Sequence, residues 1–122
     1  MPYLQIDFDG ELSLTELAPE LARAYAAIME ADEARISVGL RRAQVLRCFP
    51  DGPRPVIVVT CDIREGRPPE RLARLAGEIC ALVAAAAGRS PDDDVVVYFT
   101  QHPGFEIFRD GAPSAEWTPP TA

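Results

Sequence analysis

Apolar and polar positions along the 122-residue chain fall into two copies of one pattern. Positions 2–8, PYLQIDF, alternate apolar and polar side chains, the period of a half-buried strand, and begin at a proline, which a strand tolerates as its first residue. An acidic, Gly-containing turn leads into positions 14–30, where Leu14, Leu17, Leu21, Ala24 and Ile28 recur every three or four residues along one helical face. Ser13 and Glu16 fit a capping box at the helix start. Pro19 lies near enough to that start to be tolerated, at the cost of a backbone hydrogen bond. The second copy opens at Pro55 and runs as a strand to position 62. Its helix starts at Pro68, Pro69 and Glu70 and stops at Gly88, ahead of Ser90 and Pro91. Leu72, Leu75, Ile79 and Leu82 form that helix's apolar face.

Each helix is followed by another strand. ISVGL at 36–40 alternates, RRAQ turns, and VLRCF at 45–49 returns as its partner, with PDGPRP as a connecting loop. DVVVYF at 94–99 reads as a buried strand, and GFEIFRDG adds a short strand or turn. Two consecutive βαβ units predict an α/β (α+β) fold. Right-handed crossovers place both helices on one face of a four-stranded mixed sheet. The pattern implies one domain over 1–111, with a pseudo-repeat of 2–49 and 54–111, and a Pro-rich tail at 112–122. The sheet's second face is left bare, yet VIVV at 56–59 and VVV at 95–97 are continuously apolar, as in strands covered on both sides. Other copies of the chain are the expected cover.

The composition of 48% hydrophobic and 25% charged residues is that of an ordinary globular protein. The longest apolar run, ICALVAAAA at 79–87, is too short to span a bilayer. Asp7, Asp9 and Glu11 occupy the stretch where a signal peptide needs basic and then apolar residues, so a cytoplasmic location is expected. A net charge of −7 argues against nucleic acid and anionic membrane as partners. Cys48, Cys61 and Cys80 contain no C-x-x-C pair, and His102 is the single histidine. Reduced thiols are therefore expected, with no disulfide framework, no metal and no organic cofactor. All 12 basic residues are arginine, so any amine chemistry must come from a chain terminus.

Arg64 and Arg67 flank a Glu-Gly turn just before the second helix, where unpaired N–H groups and the helix dipole favour an anion. Two guanidinium forks there make a carboxylate clamp; the competing reading is an exposed ion cluster with Asp62, Glu65 or Glu70. The repeat sets the strand of Pro2 beside the strand that ends in Arg64. An α-amine has a reference pKa of about 7.7–8.0, and apolar burial and nearby arginine both lower it. With Met1 removed, Pro2 would carry a neutral secondary amine able to move a proton between carbon and oxygen of an enol or α-keto acid.

MPYLQIDF opening a βαβ repeat, REGRPPE at 64–70 and VYFTQ at 97–101 together resemble the tautomerase superfamily. That superfamily includes 4-oxalocrotonate tautomerase and macrophage migration inhibitory factor. The resemblance covers roughly 2–111 and is nearest to long members such as cis-3-chloroacrylic acid dehalogenase and malonate semialdehyde decarboxylase. It implies a homotrimer with pockets at subunit boundaries, Pro2 as the catalytic amine, Arg64 and Arg67 as carboxylate holders, and Tyr98 as a pocket tyrosine. Glu106 and Arg109 are expected to line the substrate site or to pair with each other. Met29 or a neighbour stands where the cis-dehalogenases carry a histidine, with Tyr25 as the polar residue nearby, and Arg109 stands where they carry a water-activating glutamate, with Glu106 displaced by three. Proton transfer is thereby favoured over hydration.

The expected function is a cofactor-independent tautomerase or isomerase of a small α-keto or enol carboxylate. A decarboxylase or dehalogenase of the same superfamily and a non-catalytic trimeric binding module are the alternatives. Tyr98 could instead fill a core, and His102 reads as a loop or rim residue. Arg41 and Arg42 read as solvated charge, although the resemblance allows an adjacent subunit's pocket to recruit one of them, and Trp117 reads as a tail residue either docked on a subunit surface or mobile.

Overall fold

The alternation read at the N-terminus is the alternation of a real strand. In a computed structural model describing residues 2–89 and 94–113, β1 (Tyr3–Asp7) buries Leu4 and Ile6 completely while Tyr3 and Gln5 turn to the other face. The chain continues through α1 (Leu14–Met29), β2 (Ser37–Arg41), β3 (Leu46–Phe49), β4 (Gly52–Pro55), β5 (Ile57–Arg64), α2 (Pro69–Ala86), β6 (Val95–His102), β7 (Phe108–Arg109) and β8 (Ala112–Pro113). The main sheet has the order β2-β1-β5-β6. β1 runs parallel to β2 and β5 parallel to β6, while β1 and β5 are antiparallel, so the two βαβ units meet at the centre.

Ile57, Val59, Cys61 and Ile63 of β5 join Leu4 and Ile6 beneath Leu17, Leu21, Tyr25 and Met29 of α1 and Leu75, Ile79 and Val83 of α2. Complete burial of one such aliphatic side chain contributes roughly 1.5–3 kcal/mol relative to leaving it in water. Both helices therefore lie on one face. The other carries Tyr3, Gln5, Val58, Thr60, Asp62 and Arg64, with Val58 and Val96 only half-buried. Along β1 this face is laced by hydrogen bonds, from Tyr3 Oη to Gln5 Oε1 (3.3 Å), from Gln5 Nε2 to Asp7 Oδ1 (3.1 Å), and from Arg41 to both oxygens of Asp7 (3.0 and 2.9 Å).

Three local expectations are corrected. VLRCF does not return to ISVGL: β3 pairs with β4, so the expected PDGPRP loop is the turn and second strand of a separate hairpin. The guanidinium groups of Arg47 (4.8 Å) and Arg54 (4.4 Å) both lie over the Phe49 ring, and Arg47 is tied to Asp94 at 2.6 Å. Ser13 is the residue before α1, yet its side chain makes no capping hydrogen bond. The buried stripe of α1 is Leu17, Leu21, Tyr25 and Met29, rotated from the expected one so that Tyr25 replaces Ala24 in the core. Of the expected tail, Ala112 and Pro113 pair with β7, and Trp117 lies outside the described residues. Among the described residues no helix is long and apolar enough to cross a membrane.

Candidate active site

Parallel pairing within each unit and antiparallel pairing between them bring the start of β1 and the ends of β5 and β6 to one end of the sheet. Pro2 is half-buried there, and its carbonyl accepts the N–H of Ser37 at 3.0 Å. Tyr3 is opposite Asp62, so one step upstream sets Pro2 alongside Ile63, next to Arg64. On the far side of β5, Arg64 pairs with His102 in register, and the Glu65 N–H donates to the His102 carbonyl at 2.8 Å.

The two arginines of REGR separate. Arg64 ends β5 on the helix-free face, half-buried. Gly66, at φ 119°, adopts a left-handed conformation that glycine enters without steric cost, and the chain turns towards the helices. Arg67 is consequently buried, and its Nε and Nη2 donate to the carbonyl of Met29 at 3.3 and 3.0 Å. Arg71, one turn into α2, donates to the Ile28 carbonyl at 3.0 Å and faces Glu30 at 3.5 Å. Both cap the carboxyl end of α1, where unpaired carbonyls and the dipole favour cations.

Tyr25 lies fully buried near this group, and its hydroxyl makes no hydrogen bond within the described structure. Burial pushes the Tyr25 hydroxyl up to about 12, against the pull of Arg67. Burial likewise pushes the Cys61 thiol up to about 12, with Asp62 adding to it. Both stay neutral at physiological pH, so Cys61 is not a nucleophile. Among the described residues no group of three His, Cys, Asp or Glu side chains is placed to hold a metal ion.

Tyr98 faces away from the helices, opposite Thr60, and is 60% exposed. It precedes His102 by four residues of strand, about 13 Å at the usual rise, so a single chain does not bring it to the Pro2 end. Glu106 and Arg109 do not pair: Arg109 lies 3.8 Å from Asp110, while the 3₁₀ turn Gly104–Glu106 folds Glu106 back towards His102.

That turn completes a group the sequence reading left at the rim. His102 Nε2 is 3.0 Å from Asp62 Oδ1, and its Nδ1 is 3.8 Å from Glu106 Oε2. Asp62, His102 and Glu106, with Ile107 and Phe108, line an open cleft of about 260 Å³. The four-residue interval between His102 and Glu106 was the only local signal. Asp62 joins them through the β5–β6 register, which no short-range pattern contains.

No family model and no curated protein matches the sequence. Solved structures do match the fold. A member of the cis-3-chloroacrylic acid dehalogenase family, N1, aligns over 91% of this chain and 82% of its own at 20% identity and a TM-score of 0.78. A fused 4-OT symmetric trimer aligns over 92% and 95% at 20% identity and a TM-score of 0.78. Pt0534, solved after inactivation by 2-oxo-3-pentynoate, aligns over 92% and 96% at 19% identity and a TM-score of 0.77. At these identities the shared property is architecture. From β1 to β6, this chain has the tautomerase-superfamily fold.

Proposed function

We propose that this chain is a cofactor-independent tautomerase of a small α-keto or enol carboxylate, with Pro2, freed by removal of Met1, as its acid–base amine. The observation that carries the reading is the position of Pro2, at the start of β1 and one register step from Arg64, within a tautomerase-superfamily fold. The neutral amine takes a proton from the carbon next to the carbonyl, and the ammonium returns it to carbon in the reverse direction. Arg64 holds the carboxylate by its guanidinium fork. Glu106 lines the adjoining cleft, and Arg109 follows in β7.

Two structural neighbours support the details. The 4-OT fusion is a symmetric trimer, and the same assembly here would let Tyr98 reach the Pro2 end of an adjacent copy. The agent that inactivates Pt0534 is an electrophilic 2-oxo acid, the chemical class proposed as substrate. Met29 is fully buried with its carbonyl held by Arg67, so that position supplies no acid–base side chain to a site on the helix-free face.

Intact mass of tag-free protein should be short by one methionine. Ketonisation of phenylenolpyruvate should then fall at least about 10²-fold in Pro2→Ala. 2-Oxo-3-pentynoate should label Pro2 in the wild type, and peptide mapping should find position 2 of the variant labelled far more slowly, whatever the exposed Cys48 takes up. A retained methionine, or an unchanged rate in Pro2→Ala, overturns the proposal.

A further inference from the structure

Keto–enol interconversion needs two proton transfers, one at carbon and one at oxygen, and the amine serves only the first. We propose, resting on the tautomerase reading, that His102 is the second acid–base group, exchanging the proton of the substrate's enol oxygen. His102 ends β6, two strands from the start of β1, and leans back over β5 to reach Asp62, the residue opposite Tyr3. It is 32% exposed in the cleft, open to a ligand and held on one side by Asp62.

The hydrogen bonding assigns the nitrogens. The Asp62 carboxylate only accepts, so His102 Nε2 carries the hydrogen and donates at 3.0 Å. In the neutral ring, Nδ1 is then the basic nitrogen. Glu106 at 3.8 Å is beyond hydrogen-bond reach and leaves that lone pair available. The charged and titratable groups around the ring are Asp62 and Arg64 from β5, Glu106 from the 3₁₀ turn, Tyr3 opposite Asp62, and Glu65, whose N–H holds the His102 carbonyl.

In ketonisation the enol O–H proton passes to His102 Nδ1, the oxygen's electron pair forms the carbonyl, and carbon takes a proton from the Pro2 ammonium. The two groups finish with their protonation states exchanged, and solvent resets them through the open cleft. Tyr98, about 13 Å back along the same strand, is not needed for this step within one chain. Asp62 acts through His102 as a positioning residue that sets the tautomer.

As the only histidine, His102 gives ring resonances free of overlap. Phenylpyruvate added to wild-type protein should shift the His102 ring signals and leave them unshifted when acetamide is added instead. His102→Gln, which keeps a side-chain amide for Asp62, should lower kcat for phenylenolpyruvate ketonisation about 10²-fold with KM little changed. It should also remove one limb of the pH–rate profile, and Asp62→Asn should displace that limb. A structural tether would instead lower the melting temperature and leave the profile intact. Unshifted ring signals, or a wild-type profile in His102→Gln, overturn the proposal even if Pro2→Ala is inactive. Shifted ring signals in a protein with no turnover sink the tautomerase reading and the acid–base role together, leaving only a ligand contact.

Discussion

Arg64 and Arg67 look interchangeable in REGR, and the fold gives them different neighbours. The carboxyl end of α1 presents the Met29 and Ile28 carbonyls against α2, and the arginines able to reach them are Arg67 and Arg71. A buried guanidinium lost from such a site costs roughly 1.5–3 kcal/mol, because the charge-assisted bonds go and a buried carbonyl is left unpaired. Arg67→Ala should therefore lower the unfolding free energy by about that amount, read as a lower urea midpoint at unchanged slope, and Arg67→Lys should restore part of it. The folded fraction of Arg67→Ala should keep the wild-type KM for phenylenolpyruvate; a raised KM at unchanged stability would mean that Arg67 holds substrate. Arg64→Ala provides the contrast, raising KM. Tyr25 shows why such roles hide from pattern reading. A tyrosine four residues after Leu21 fits a helical stripe, but only the packed layers show that its hydroxyl is buried beside Arg67.

At the scale of elements, both helices and the four principal strands were legible, because their signals are periodic and repeated. What failed was pairing between near neighbours. Leu46–Phe49 had two available partners, and the local one won. Pro50 and Asp51 close a two-residue turn with Gly52 at φ 127° beyond it, and a short loop costs less closure entropy than a return to β2. The stripe of α1 shifted for a related reason. Positions 24 and 25 both satisfy three–four spacing, and the larger side chain was taken into the space over β5. Pro19 is a third case, exposed inside α1 with no N–H to donate to the turn before it. Pro19→Ala restores that bond in an exposed position and should stabilise the fold by about 1 kcal/mol, read as a higher urea midpoint. A lower midpoint would mean that the proline's restriction of the unfolded chain outweighs the missing bond.

For the whole molecule, the open question is the sheet face without helices. Val58 and Val96 are paired in register at its centre, half-buried in a single chain, while Tyr3 and Tyr98 stand exposed on the same side. A covering copy would remove that apolar area from water. Sedimentation of the wild type should give a trimer, and Val96→Glu should give monomers that keep their helical circular dichroism, since the substituted side chain points away from α1 and α2. A wild-type monomer, or an intact assembly in Val96→Glu, would reject the assembly. Sequence alone determined the doubled βαβ order, the shared helical face and the proline at the start of the first strand. Each of these is written in hydrophobic period and in residue types whose backbone limits act locally. Only the tertiary structure decided that Arg67 leaves the sheet end, that Tyr98 stands apart from it, and that Asp62, His102 and Glu106 meet in a cleft. Those outcomes depend on strand register and on a turn after β6, which join residues 40 apart through hydrogen bonds that no local pattern records.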